Sequence, residues 1–134
     1  MDSSANAMKI RGLYEAFERG DVSAVLDAFS PDIQWIEAEG FPHGGVYQGP
    51  DAVMQNVLMT LGAEWQPFTI APREIISDGE TVVVLGQYSG TYKATGKSFS
   101  APFSHVWRLR DGKIAGFQQF TDTAVVQRAV HGTT

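Results

Sequence analysis

The sequence predicts an α+β fold in which a curved antiparallel sheet wraps around three helices from the N-terminal half of the chain. Helical periodicity is confined to the first half, whereas the second half is a series of runs that alternate apolar and polar residues. Two of the turns between these runs are Asp78-Gly79 and Asp111-Gly112, and Asp-Gly is among the strongest hairpin signals. Helices followed by an antiparallel meander pack most simply with the sheet curled over the helices.

The helices are predicted from apolar residues spaced at i, i+3, i+4 and i+7. The first stripe spans residues 10–17, and Gly20 ends that helix. Asp21 caps a second helix over residues 22–29, which Ser30-Pro31 closes because the residue before proline leaves the α region.

A strand is predicted at 32–38, followed by a glycine-rich loop. Pro50-Asp51 then opens the third helix. The meander is predicted as four strands, at 68–77, 80–92, 97–110 and 113–121. We find no internal repeat or linker, so one domain is expected over residues 1–134.

The predicted inner face of the sheet combines aromatic and polar side chains. If Thr95-Gly96 and Asp111-Gly112 are two-residue loops, the pairs are His105 with Gly86 and Gln118, Phe103 with Tyr88 and Phe120, Trp107 with Gly116, and Ala101 with Asp122. Polar groups beside glycines on a concave face indicate open space, so we expect a pocket for one small molecule there.

Composition narrows the classes of function. The 134 residues are 43% hydrophobic and 19% charged, which is typical of a globular domain. The net charge of −5 and the scattered basic residues argue against sequence-independent binding of nucleic acid. No apolar run reaches the roughly 20 residues of a membrane span. We therefore expect a cytoplasmic protein that acts on a small molecule, with no nucleic-acid or membrane partner.

No cofactor is expected. The chain has no cysteine, and its histidines at 43, 105 and 131 lack the spacing of a metal site. Phosphate-binding glycine motifs are also absent. His43 is expected in an exposed loop over the mouth of the pocket.

The predicted outer face of the sheet is too apolar to be left in water. We expect a homodimer through this face, formed by Val83, Leu85, Pro102, Ser104, Val106, Ala115 and Phe117.

Three segments resemble the SnoaL-like branch of the superfamily that includes ketosteroid isomerases, polyketide cyclases and nuclear transport factor two. They are FERGDVSAVLDAFSPDIQWIEAEG, GGVYQGPDAV and SHVWRLRDGKIAGFQQFTDTA. The resemblance covers nearly the whole chain and implies a cystatin-like cone. This cone hosts enzymes, ligand binders and association modules, so the resemblance is specific for fold rather than for function.

The ketosteroid isomerase pattern places Glu37, at the end of the first strand, where that family keeps its general base. It places Leu13 at the position of the helix-one tyrosine, with Tyr14 one residue along and turned by about 100° around the helix. It places His105 at the position of the strand aspartate. This sequence therefore has a carboxylate at the position of the base but lacks the tyrosine and aspartate that form the family's oxyanion hole. The resemblance thus disfavours true ketosteroid isomerisation.

In polyketide cyclases an acid/base aspartate and a histidine lie inside the cone, and Asp122 and His105 are residues of that type. Alternatives stay open at each position. Asp122 equally suits the cap of the following helical turn, and Glu39 rivals Glu37 as base. His105 is either a buried imidazole satisfied by Gln118 or water, or a ligand-facing group.

The sequence therefore predicts cofactor-independent proton transfer, of isomerase, cyclase or lyase type, on a small apolar carbonyl compound. Glu37 or Asp122 would move the proton, and His105 would orient or polarise the oxygen. The alternative is a non-catalytic ligand-binding or dimerisation module of the same fold. The residues predicted to contact the ligand are Tyr14, Trp35, Tyr88, Phe103, Trp107, Gln118 and Phe120.

Overall fold

Residues 3–132 are described by a computed structural model. The helices are α1 (Ser3–Glu18), α2 (Val22–Asp27), α3 (Pro50–Val53), α4 (Met59–Glu64) and α5 (Thr123–His131), with a π-helical turn (Met54–Leu58) joining α3 to α4. The strands are β1 (Phe29–Glu37), β2 (Gly45–Gln48), β3 (Trp65–Asp78), β4 (Thr81–Tyr92), β5 (Ser98–Arg110) and β6 (Lys113–Thr121). None of the helices within this described range is long and apolar enough to cross a bilayer.

All six strands belong to one sheet, in the order β2–β1–β6–β5–β4–β3. The pairing is antiparallel except between β1 and β6, which run parallel. The predicted α+β class with a curved sheet against helices is confirmed. Strand β2 and the parallel pair were not predicted, and α5 was expected only in the alternative that Asp122 caps a following helical turn.

The first helix buries the predicted apolar stripe. Ile10, Leu13 and Tyr14 are buried and Phe17 is half-buried, so α1 covers the inner face at β3 and β4. The Asp21 carboxylate accepts a hydrogen bond from the Ala24 backbone at 3.1 Å, which confirms the predicted cap.

Helix α2 is shorter than predicted and the strand after it begins earlier. The helix ends at Asp27, and Phe29 already pairs with Ile114 of β6. The apolar spacing that continues to Phe29 reflects burial of a strand residue, because Phe29 is only 4% exposed.

The connection between β4 and β5 is longer than the predicted two residues. Thr91 pairs with Ser98, which places His105 opposite Val84 and Phe103 opposite Gly86. The displacement is two residues, so each side chain keeps its face. The predicted pairs of His105 with Gly86 and of Phe103 with Tyr88 are wrong.

Gly86 does not leave open space. A Cβ added there would lie 2.5 Å from the Phe103 ring and 2.4 Å from the Ala71 carbonyl oxygen. The glycine therefore admits an aromatic ring that packs over the strand, and its prediction as pocket space is wrong.

A bulge at Ala115 changes the faces of β6. The loop is two residues long as predicted, with Arg110 opposite Lys113, but Ala115 is left unpaired between the Leu109–Ile114 and Arg108–Gly116 pairs. The observed partners are therefore His105 with Gln119, Phe103 with Thr121 and Trp107 with Phe117. The predicted pairs with Gln118, Phe120, Gly116 and Asp122 are wrong, because each β6 residue after the bulge lies one position away from its expected partner.

Candidate active site

An inner chamber lies between the sheet and the helices. The space that the centre of a water molecule can reach inside it is about 30 Å³, which is room for about two waters. Most of its lining is apolar, and no Lys or Arg of the described chain takes part. The lining residues are Tyr14, Phe17, Trp35, Glu37, Phe41, Val57, Leu58, Leu61, Phe68, Ile70, Tyr88, His105, Trp107, Phe117 and Gln119.

A wider outer groove adjoins the chamber, between the α1–α2 connection, α4 and β3. Its volume by the same measure is about 580 Å³. Any ligand larger than a few atoms must either displace the wall of the chamber or extend into this groove. Five side chains line both spaces and form their common wall: Phe17, Leu58, Leu61, Phe68 and Ile70.

The imidazole of His105 joins two tyrosine hydroxyls. Nδ1 lies 2.5 Å from the Tyr14 hydroxyl, and Nε2 lies 2.5 Å from the Tyr88 hydroxyl. Phe103 stacks on the imidazole with ring centroids 4.0 Å apart, and Trp107 meets it edge-on. Alternation along β5 points all three rings inward, and both imidazole nitrogens are engaged.

Each end of this chain of hydrogen bonds is held by a nitrogen donor. Trp107 Nε1 donates to the Tyr14 hydroxyl at 2.9 Å, and Gln119 Nε2 donates to the Tyr88 hydroxyl at 3.0 Å. The orientation of the Gln119 amide is set by its oxygen, which accepts from the Ala38 backbone at 2.9 Å.

Burial keeps this network uncharged at neutral pH. It lowers the pKa of His105 to about 3, so the imidazole is neutral. It also raises the pKa of both Tyr14 and Tyr88 well above the ordinary tyrosine value, so both phenols stay protonated.

Glu37 supplies the one carboxyl group among the residues that line the chamber. It ends β1, is 4% exposed, and accepts a hydrogen bond from Trp35 Nε1 at 2.8 Å. Burial raises its pKa to about 7, while the Trp35 hydrogen bond acts in the opposite direction. A carboxyl group that exchanges its proton near neutral pH meets the first requirement of a general base.

A family model covers most of the chain. The model of the SnoaL-like domain matches residues 10–117. The chain belongs to this family.

Solved structures agree with this assignment. The SnoaL-like chain superposes on an NTF2-like protein of Burkholderia thailandensis with a TM-score of 0.92 and 40% identity, covering 97% of this chain and 98% of the other. It superposes on TerC, co-crystallized with polyporic acid, with a TM-score of 0.85 and 28% identity, covering 95% and 98%. A SnoaL-like polyketide cyclase described as putative, from Jannaschia, shares the fold at a TM-score of 0.82 and 17% identity, covering 98% and 95%.

Curated sequences add a more distant match. Uncharacterized mycobacterial proteins are 27% identical over 86 residues, and the SnoaL-like chain spans 66% of their length.

Most of the predicted site residues of the SnoaL-like protein meet in the chamber. Glu37, His105, Tyr14, Trp35, Tyr88 and Trp107 line it, and Phe103 contacts it through His105. Leu13 is buried but does not line the chamber, whereas Tyr14 brings a hydroxyl into it. Tyr14, one residue beyond the position that the ketosteroid isomerase pattern gives to its tyrosine, therefore lies at the site, where it was predicted to contact the ligand.

Three predicted site residues lie elsewhere because of the Ala115 bulge. Asp122 is exposed and caps α5, accepting from the Val125 backbone at 3.3 Å. Gln118 faces outward, as does Phe120, which is 48% exposed. The inward placement of all three is wrong.

Two further candidates lie outside the chamber. Glu39, the rival base, is exposed. His43 is exposed as predicted, and its Nε2 lies 2.8 Å from the Glu64 carboxylate.

Gln119 is the polar site residue that the sequence did not identify. Gly116 was the available signal, because a glycine inside a strand often marks a bulge.

Proposed function

We propose that this SnoaL-like protein moves a proton on the carbon next to the carbonyl group of a small, mainly apolar compound, without a cofactor. The observation that carries the proposal is Glu37, a buried carboxyl group whose pKa of about 7 suits a general base, in the same chamber as two tyrosine hydroxyls. The carboxylate would remove the proton and return it to the same or another carbon, which is the core of isomerase, cyclase and lyase chemistry.

The chamber favours a neutral substrate. No Lys or Arg among the described residues lines it, so an anionic group placed beside Glu37 would lack a counter-charge. Glu18 and Asp21 add negative charge to the lining of the outer groove. The carbonyl oxygen would accept a hydrogen bond from a tyrosine hydroxyl, and the apolar body would extend toward the groove.

Among the described residues, no hydrogen bond links the Glu37 carboxylate to the hydroxyl of Tyr14 or Tyr88. In the proposed complex the reacting carbon would lie at the carboxylate and the carbonyl oxygen at a tyrosine hydroxyl. Proton abstraction needs this separation, because base and hydroxyl must act on different atoms of the same ligand.

The test is deuterium exchange. The protein is incubated in D₂O with a panel of small cyclic and aliphatic ketones, and deuterium uptake beside the carbonyl is followed by mass spectrometry. We expect Glu37→Gln to reduce the accelerated exchange by about 10²–10⁴-fold, since a positioned base typically contributes that much. Glu39→Gln, a matched change at an exposed neighbour, should stay within a few-fold of wild type.

Exchange that survives Glu37→Gln would reject Glu37 as the base. If wild type accelerates exchange of no ketone in the panel, the catalytic part of the proposal fails.

A second candidate is a ligand-binding module that performs no chemistry. It is favoured by the small volume of the chamber and by the hydrogen bonds that His105 makes with Tyr14 and Tyr88. The relationship to TerC, which was co-crystallized with polyporic acid, supports small-molecule binding in either case. Binding of panel ketones by ligand-observed NMR, with no deuterium uptake, would select this candidate.

We also propose that a second copy of the chain covers the outer face of the sheet. One row of residues in register crosses all six strands there, and five of its six members are apolar: Val46, Ile36, Gln118, Val106, Val83 and Ile76. Phe120 extends this face, whereas Phe117, which was expected on it, is buried inside. A two-fold axis through the sheet would pair the row with itself.

Sedimentation tests the dimer. We expect wild type at twice 14.6 kDa and Val106→Glu as a monomer. The matched control, Val22→Glu, changes an exposed valine of α2 away from this face and should leave the dimer intact. A monomeric wild type would reject the dimer. The cytoplasmic location stays a prediction from the sequence.

A further inference from the structure

We infer that the hydrogen-bond network of Tyr14, His105 and Tyr88 leaves one phenolic hydrogen free to bind a ligand, and that this hydrogen is on Tyr88. His105 is the positioning residue that keeps it there. The inference rests on the proposed function and narrows its substrate class to a neutral compound with a single acceptor oxygen at the reacting end.

The direction of the outermost hydrogen bonds is fixed. An indole Nε1 is only a donor, so Trp107 donates to the Tyr14 hydroxyl. Because the Gln119 oxygen is held by the Ala38 backbone, its amide nitrogen faces Tyr88 and donates to that hydroxyl. Both tyrosine oxygens thus already accept one hydrogen bond before His105 is considered.

The neutral imidazole then allows only two arrangements. It carries one N–H donor and one acceptor nitrogen, and each nitrogen contacts one tyrosine hydroxyl. One tyrosine must donate to the imidazole and the other must accept from it. The accepting tyrosine has two incoming hydrogen bonds, so its own hydrogen is left for another partner.

The surroundings place that spare hydrogen on Tyr88. Gln119 links the Tyr88 hydroxyl to the backbone of Ala38, the residue after Glu37, so Tyr88 lies at the carboxylate end of the chamber. Among the effects on Tyr88, burial is the largest, and the negative charge of Glu37 also raises its pKa. Aromatic rings lie beside both tyrosines, so ring contacts do not distinguish the two sides. The difference is the Glu37 carboxylate, whose negative charge favours a donor hydrogen nearby, and this places the spare hydrogen on Tyr88.

His105 is therefore expected as the tautomer with the proton on Nε2. Tyr14 donates to Nδ1, Nε2–H donates to Tyr88, and the Tyr88 hydrogen is available to a ligand. Because burial raises the pKa of both phenols, the hydrogen stays on Tyr88 and polarises the ligand oxygen without transferring to it. One donor matches a ketone or aldehyde oxygen and does not match a carboxylate, which needs two donors or a cation.

The tautomer is measured directly by ¹⁵N NMR. The variant H43Q/H131Q leaves His105 as the one histidine of the chain, and ¹⁵N shifts with their proton couplings distinguish protonated from unprotonated ring nitrogens. We expect Nε2–H in this protein and in its Tyr14→Phe derivative. Tyr88→Phe removes the acceptor for Nε2–H, but Tyr14 still donates to Nδ1, so the proton should stay on Nε2 and its ¹H resonance should move upfield as that hydrogen bond is lost.

In H43Q/H131Q with Tyr88 intact, a proton on Nδ1 of His105 would overturn the inference. A doubly protonated His105 ring at neutral pH would also overturn it. An Nε2–H resonance that does not move in Tyr88→Phe would remove His105 as the residue that positions the Tyr88 hydroxyl. The first spectrum needs no substitution within the network, so a variant that fails to fold does not prevent the test. No ligand is needed either, so failure of ketone exchange and failure of the tautomer assignment are separate results.

The exchange assay gives a second measurement for whichever ketone wild type exchanges fastest. We expect Tyr88→Phe to slow its exchange at least about tenfold more than Tyr14→Phe does, because a well-placed donor at an oxyanion typically contributes that much or more. Equal losses would contradict the placement of the spare hydrogen on Tyr88.

Discussion

Neutralising Glu37 should change how the stability of the fold depends on pH. The folded protein holds the Glu37 proton more tightly than the unfolded chain, because burial raises the pKa from 4.5 to about 7. The stabilising contribution of the protonated form is fully present below pH 4.5. It is lost as the pH rises through about 7, where the buried group must ionise.

The size of the effect follows from the same two values. A pKa raised from 4.5 to about 7 corresponds to about 3–4 kcal/mol of folding free energy, at about 1.4 kcal/mol per pH unit. Wild type should therefore lose about this much stability, relative to Glu37→Gln, between pH 4.5 and pH values above 7. The glutamine keeps the shape of the side chain and has no proton to lose.

The assay is urea unfolding followed by tryptophan fluorescence at a series of pH values. The quantity compared is the difference in unfolding free energy between wild type and Glu37→Gln. Glu39→Gln serves as the control, because Glu39 is exposed and its removal should leave the pH dependence of wild type unchanged. A difference between wild type and Glu37→Gln that is independent of pH would refute the buried carboxyl, and with it the argument for Glu37 as a base at neutral pH.

The remaining predictions concern the residues that shape the site. Trp35→Phe removes the donor to Glu37, so the midpoint of the Glu37 carboxyl titration by ¹³C NMR should rise above about 7, and a lower midpoint would contradict the assigned hydrogen bond. Gly86→Ala should destabilise the fold by about 1–3 kcal/mol, because the Cβ meets a backbone oxygen and an aromatic ring. Gly62→Ala, in α4 with nothing within 4 Å, should be neutral or stabilising in the same thermal unfolding assay. Asp122→Ala should cost about 1 kcal/mol through the lost cap of α5 and leave ketone exchange unchanged.

Much of the site could be predicted because local patterns determine it. The apolar spacing of α1 places Tyr14 on the buried stripe, and alternation along β5 places His105 and Trp107 on one face. Glu37 lies on the inner face at the end of β1, which the resemblance to ketosteroid isomerases also indicated.

The register of β6 could not be predicted from alternation. The segment Phe117-Gln118-Gln119-Phe120 presents one phenylalanine and one glutamine to each face in either register, so the pattern does not distinguish the two. The unpaired Ala115 decides between them, and a bulge is a property of strand pairing that single-strand periodicity does not contain.

The connection between β4 and β5 shows a related limit. Thr95-Gly96 identifies a turn, but its length depends on backbone hydrogen bonds from Tyr92 to Lys97 and from Gly96 to Tyr92. An error of two residues left every face correct, whereas the error of one residue in β6 exchanged the faces.

The bulge at Ala115 also bears on how this hairpin tolerates changes of length during evolution. Deleting the bulged residue would turn Phe117 outward and Phe120 inward, yet the strand would still present a glutamine to the interior, now Gln118. One aromatic ring and one amide would remain on each side, in a different order along the strand. Lineages that gain or lose a residue here could therefore keep both an amide donor inside and an apolar contact outside, which makes β6 a place to search for length variation among related chains.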